Sequence, residues 1–156
     1  MSTQLKYDKI KNKKKKKGKK PCGKNEKYMK EALKEAKKAA EKLEVPVGCI
    51  IVKNDKIIAR GHNQKETKKD TTKHAEIIAL QKASKKLEAW RLTDCEMYVT
   101  LEPCSMCAGA ILQARLKKIY IGTMDNKTGA CGSVLNLLQD YPFNHKTEIE
   151  TGIQKE

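Results

Sequence analysis

Apolar residues recur at helical spacing from Asn25 to Leu43, with lysines and glutamates between them. This period predicts a first amphipathic helix. Two apolar runs follow, VPVGCIIV and KIIARGHN, joined through Asn54 and Asp55. Because a short connection of this kind suits a tight turn, the runs predict two antiparallel strands in a hairpin. A polar loop, residues 64–72, then leads to the next helix.

The second half of the chain alternates between helix and strand patterns. KHAEIIAL begins a helix near His74, and CEMYVTL predicts a buried strand that ends before Pro103. PCSMCAGAILQARL predicts a helix, KKIYIGT another strand, and VLNLLQ a short helix after the glycine-rich loop MDNKTGACGS. This alternation indicates an α/β sandwich whose helices cover a central sheet. In such sheets, ligand sites form beyond the strand ends, where helices begin.

Positive charge is concentrated at the N-terminus. Residues 1–30 hold thirteen lysines and two acids, which is +11 of the formal +15, so residues 31–156 carry only +4. The stretch KIKNKKKKKGKKPCGK lacks apolar periodicity. We therefore expect residues 1–24 to be a disordered tail and residues 25–156 to form the folded domain. The tail is either a solvated extension or an arm that binds phosphates without specificity.

Targeting and membrane signals are not expected in this chain. No apolar region follows the basic start, and no apolar run is long enough to span a bilayer. Six cysteines in such a chain are expected to be reduced thiols in the cytoplasm rather than a disulfide framework. Their spacing is uneven, and Cys104 and Cys107 form the only C-x-x-C pair.

This pair has the spacing of a metal site. Two thiolates at i and i+3 in the first turn of a helix point into one volume, where the helix N-terminus favours negative charge. With His74 as a third ligand, the set suits zinc. The sequence offers no second C-x-x-C or H-x-x-x-H to complete four protein ligands, which favours an open catalytic site over a closed structural one. Glu76 would then shuttle protons beside the activated water.

Each half of this pattern has a plainer explanation. His74 alone could be an ordinary polar residue at a helix start, and a lone C-x-x-C could be a redox pair. Together and in this order, however, HAE and PCSMC match H-x-E…P-C-x-x-C, which is the known signature of zinc deaminases.

From about Tyr28 to Ile153 the chain resembles the bacterial tRNA-specific adenosine deaminases, which have the cytidine deaminase-like fold. The resemblance rests on four segments in the same order, VPVGCIIV, HAEIIAL, YVTLEPCSMCAGAI and MDNKTGACGS. LEPCSMCAGA together with DNKTGACGS is the part more specific to the tRNA branch. The resemblance implies a three-layer α/β/α sandwich around a central mixed sheet of about five strands.

The resemblance also implies roles for individual residues. One zinc per subunit would be held by His74, Cys104 and Cys107. Glu76 would be the catalytic proton shuttle. Asn63, in GHNQ, would contact the flipped nucleoside, and Asp125 would line the substrate entrance. Taken alone, Asn63 could simply end a strand and Asp125 could shape a turn.

The implied reaction is hydrolysis of an amidine C–N bond, converting wobble adenosine to inosine in the anticodon of an arginine tRNA. A cytoplasmic homodimer would act on the anticodon stem-loop. Family members are expected to continue into a long C-terminal helix, whereas this chain stops at TGIQKE, so we expect the domain to lack that helix.

Two other functions are compatible with parts of the pattern. One is a deaminase of a free base or nucleotide, of guanine or cytosine type, which would share the zinc motif. The other is a non-catalytic, zinc-stabilised RNA-binding module. Glu76 argues against the second, because a structural zinc site has no use for a proton shuttle.

Overall fold

The computed structural model describes residues 23–153. The tail expected at residues 1–24 lies almost wholly outside this range, as do residues 154–156. None of the described helices is both long enough and apolar enough to cross a membrane. The helices of the described range are α1 (Lys24–Glu41), α2 (Lys65–Lys68), α3 (Ala75–Leu87) and α4 (Ser105–Ala114). Its strands are β1 (Gly48–Lys53), β2 (Lys56–His62), β3 (Cys95–Leu101), β4 (Lys118–Thr123) and β5 (Glu148–Thr151).

The strands form one mixed five-stranded sheet in the order β2-β1-β3-β4-β5. β1 is antiparallel to both β2 and β3, whereas β3, β4 and β5 run parallel. The predicted hairpin turn is present, and Asn54 and Asp55 have φ angles of 49° and 61°. Two successive left-handed residues give a turn whose twist matches that of the paired strands.

Helices cover both faces of the sheet, which confirms the predicted three-layer sandwich. Neighbouring residues of a strand point to opposite faces. Ile50 therefore packs with Met29 of α1, and Ile51 belongs to the larger core under α3 and α4. Gly48 allows α1 to approach β1 closely, because a Cβ at that position would overlap the carbonyl oxygen of Ala32.

Two predictions from the apolar pattern are wrong. VLNLLQ forms turns instead of a helix, with a bridge between Cys131 and Asn136. The Asn136 side chain accepts a hydrogen bond from the Leu138 amide at 3.2 Å, and such local bonding competes with helical bonding. Leu43, expected on the apolar face of the first helix, lies beyond the end of α1 and is 92% exposed.

Candidate active site

Three potential metal ligands meet where two helices begin. His74 is the N-cap of α3, Cys104 is the N-cap of α4, and Cys107 lies in the first turn of α4. The Nδ1 atom of His74 is 3.6 Å from Sγ of Cys104 and 3.5 Å from Sγ of Cys107. All ligand atoms of the group lie within 4.8 Å of one another. The structure thus brings together the three residues that the sequence singled out.

The spacing of these atoms fits a tetrahedral zinc ion. Zinc bonds of about 2.0 Å to nitrogen and about 2.3 Å to sulfur, at the tetrahedral angle, place the nitrogen and sulfur atoms about 3.5 Å apart. A hydrogen bond from Cys107 lowers the pKa of Cys104 to about 5, with a further contribution from His74. The same contact and burial raise the pKa of Cys107, so Cys104 is the more acidic of the two thiols. Across residues 23–153, the group includes no fourth histidine, cysteine or carboxylate ligand. The donor set therefore suits a zinc ion with one open position.

Glu76 lies in the first turn of α3 and is only 4% exposed. Burial raises the pKa of this carboxyl group, and a contact with Cys107 acts in the opposite direction. A raised pKa makes this carboxyl group a better proton acceptor than an exposed glutamate, as a proton carrier requires. Glu76 is outside the His-Cys-Cys group, so its position suits proton transfer rather than metal binding.

A cavity of about 390 Å³ opens onto this cluster. His74, Cys104 and Glu76 all line it, as do Asn63 and Asp125. Its volume is in the range of sites that enclose small ligands. The structure therefore brings all but one of the six predicted site residues to a single cavity, and the sixth, Cys107, is buried and contacts His74.

Asn63 and Asp125 also hold the backbone at the cavity rim. The Asn63 amide donates to the carbonyl oxygen of Val45 at 3.3 Å, and its oxygen accepts from the Lys65 amide at 3.1 Å. Asp125 accepts from the Lys127 amide at 2.9 Å and from the Thr128 hydroxyl at 2.7 Å. The bond from Thr128 lowers the pKa of Asp125. Direct contact of Asn63 and Asp125 with a substrate stays a prediction.

Sequence reasoning missed two buried glutamates next to the cavity. Glu102 lines its wall, and its carboxylate accepts hydrogen bonds from the loop that contains Asp125. Glu44 accepts from the backbone amides of Glu66 and Thr67 at the start of α2. A single glutamate is not part of any regular sequence spacing that would indicate its role. The only pointer to Glu102 was its place immediately before Pro103 in the motif.

Comparisons with known proteins identify relatives over most of the chain. A family model described as MafB19-like deaminase matches residues 24–156. A tRNA-specific adenosine deaminase of Bacillus subtilis is 50% identical over 132 residues, which cover 85% of this chain and 82% of that protein.

Solved structures give a consistent result. A tRNA:A34 deaminase, studied for A-to-I editing at the wobble position of transfer RNA, has a TM-score of 0.77 and 40% identity, covering 80% of this chain and 95% of that one. A guanine deaminase of Bacillus subtilis has a TM-score of 0.62 and 32% identity, covering 74% and 85%. Both structures share the sandwich described above.

Proposed function

The chain belongs to the family of tRNA-specific adenosine deaminases, and on this basis we propose that it hydrolyses the wobble adenosine of a tRNA anticodon to inosine. The observation that carries the proposal is the His74, Cys104 and Cys107 cluster beside the buried Glu76, at the base of one cavity. An arginine tRNA is the proposed substrate. The cytoplasm is the proposed compartment, because tRNA and reduced thiols coexist there.

The residues of the cavity divide the chemistry between them. His74, Cys104 and Cys107 would hold zinc, and bound zinc supplies a Lewis acid that lowers the pKa of water. Glu76 takes up the proton that the attacking water loses and delivers it to the adenine ring. Glu76 then carries the remaining proton of the added hydroxyl group to the exocyclic amino group, which leaves as ammonia as its C–N bond breaks, and the oxygen of water becomes the carbonyl oxygen of inosine. Asn63 and Asp125 orient the flipped nucleoside.

An RNA loop suits the lysines that stand beside the cavity. Loop bases are already unstacked and can enter a pocket at little cost. Lys65 lines the cavity, and Lys68 and Lys69 stand exposed on the same short helix and its end. These ammonium groups are placed to contact phosphates on either side of the flipped nucleotide. The lysines of residues 1–24 would add phosphate contacts that carry no sequence specificity.

The double substitution Lys68→Gln and Lys69→Gln is expected to weaken the salt dependence of RNA binding. Each ammonium–phosphate pair contributes about 0.7 to the slope of log K against log salt for single-stranded RNA, so losing both pairs should reduce its magnitude by about 1.4. The measurement is a titration of a labelled stem-loop at several salt concentrations. The matched control is Lys85→Gln with Lys86→Gln, two exposed lysines at the far end of α3. If both double variants showed the same salt slope, the RNA would not contact Lys68 and Lys69.

A homodimer is the proposed working form. A surface groove between α3 and α4 is lined largely by apolar side chains, including Ile77, Leu80 and Ala110. Trp90 borders this groove and is 59% exposed. Apolar surface of this kind is typical of a protein interface. Sedimentation equilibrium should give twice the mass of the chain.

The assay that tests the proposed function compares RNA with free bases. The zinc-loaded protein is incubated with an arginine anticodon stem-loop carrying adenosine at the wobble position, and inosine is measured after nuclease digestion. A stem-loop with guanosine at that position is the control RNA. Free adenine, adenosine, guanine and cytosine are tested by ammonia release. Inosine should form only in the first RNA, whereas turnover of guanine with an inert stem-loop would reject the proposal.

A further inference from the structure

Glu102 is a buried carboxylate surrounded by hydrogen-bond donors from one loop. It follows directly after β3 and is 3% exposed. Its oxygens accept from the backbone amides of Asp125, Cys131 and Ser133, each at 3.0 Å. The hydroxyl of Ser133 donates a fourth hydrogen bond. Residues 125–133 therefore wrap around a single side chain.

The loop is shaped to fit this carboxylate. A Cβ on Gly129 would overlap the carboxylate of Glu102, so only glycine permits the close approach. The amide of Ala130 donates to the carbonyl oxygen of Pro103 at 2.9 Å, which fixes the loop to the residue before Cys104. The segment that carries the first cysteine ligand and the loop that faces the cavity are thus joined at this point.

No lysine or arginine within residues 23–153 forms an ion pair with Glu102. Burying a carboxylate is costly unless its charge is met by hydrogen bonds. Hydrogen bonds to an ionised acceptor are shorter and stronger than those between neutral groups. The loop amides and the Ser133 hydroxyl supply this stabilisation, so displacement of the loop would leave a buried charge without partners.

We propose that Glu102 is a positioning residue that fixes the substrate-facing wall of the cavity. The wall consists of Asp125 and Thr128, which both line the cavity and both belong to the loop that Glu102 holds. This inference rests on the proposed function, since it assigns the wall to recognition of the flipped nucleoside and its neighbours. Glu102 takes no part in proton transfer, because its oxygens are occupied by the loop.

Glutamine cannot replace Glu102 in this role. A carboxylate offers two oxygens that only accept, whereas the amide of glutamine offers one oxygen and two N–H donors. In Glu102→Gln the amide nitrogen would face donors of the loop, so about half of the hydrogen bonds would no longer form. Ser133→Ala removes a single hydroxyl donor and should have a smaller effect of the same kind.

The first test measures amide hydrogen exchange in the zinc-loaded protein. Glu102→Gln should speed exchange in residues 125–133 at least ~10-fold, while the amides of α3 keep their protection. The matched control is Glu35→Gln, another buried glutamate, which lies on α1 away from the cavity and contacts Lys38 and His62. This control should leave exchange in residues 125–133 unchanged. Unchanged exchange in Glu102→Gln would overturn the proposal.

The second test separates positioning from a general loss of folded protein. Because the wall contacts substrate before and during the reaction, Glu102→Gln should raise KM for the stem-loop about 10-fold with kcat retained. Ser133→Ala should give an intermediate KM. If kcat of Glu102→Gln fell in proportion to the fraction of folded protein while KM stayed unchanged, the role of Glu102 would be merely structural. If the wild-type protein edits no RNA, the proposed function fails, yet the exchange experiment still decides whether Glu102 holds the loop.

Discussion

Glu76→Ala is expected to lower kcat for RNA editing by at least ~10²- to 10⁴-fold, the usual contribution of a positioned proton carrier. The two other carboxylates that line the cavity, Glu102 and Asp125, are already bound to donors of residues 125–133, so they are not expected to replace Glu76. Zinc content should remain at about one ion per chain, because the three ligands are untouched. Single-turnover kinetics with excess enzyme and metal analysis of the same sample measure both quantities.

Glu76→Gln is the matched variant for this experiment. It keeps the size of the side chain and can form hydrogen bonds but cannot carry the proton. Both variants should therefore lose the same reaction step. Loss of zinc from Glu76→Ala would make Glu76 a ligand, and near-normal turnover in either variant would remove the role proposed for it.

The double substitution Cys104→Ser and Cys107→Ser is expected to abolish both zinc binding and editing. Removing two of three protein ligands leaves only His74, and neutral hydroxyl groups are poor replacements for thiolates. The expected result is less than about a tenth of the zinc content of the unmodified protein, with no detectable inosine. Measurement of bound metal after dialysis provides the readout.

Cys95→Ala provides the control for that experiment. Cys95 is also a buried free thiol, but it lies at the start of β3, the opposite end of the strand from the cluster. Its substitution should leave zinc and turnover unchanged. Full zinc retention in the double serine variant would contradict the assigned metal site.

The main elements could be predicted because each has a local signal. Apolar spacing located the first helix, and the two runs joined at Asn54 and Asp55 gave the hairpin. The cluster of His74, Cys104 and Cys107 could also be predicted, because HAE and PCSMC each stand at the start of a helix. Short-range geometry places only the two cysteines together, because His74 lies 30 residues before Cys104 and reaches it through the packing of the fold.

Other features depend on contacts that a single sequence does not reveal. β5 contains only Ile149 as an apolar residue, and its strand conformation depends on pairing with β4. The apolar spacing of VLNLLQ suits a helix, but Leu138 is drawn into the core by a turn. The role of Glu102 could not be predicted either, since it depends on backbone amides that follow it by more than twenty residues.

The strand order has a consequence for how the chain folds during synthesis. Among the described strands, those of the β1–β2 hairpin leave the ribosome first, after α1, and β3, β4 and β5 are then added in turn to the same growing edge. Every later strand thus meets a neighbour that has already been synthesised, which suits the N-terminal-first folding of nascent domains. Cys107 emerges before β4, whereas the loop around Glu102 follows β4. A nascent chain can therefore bring His74, Cys104 and Cys107 together before residues 125–133 enclose Glu102.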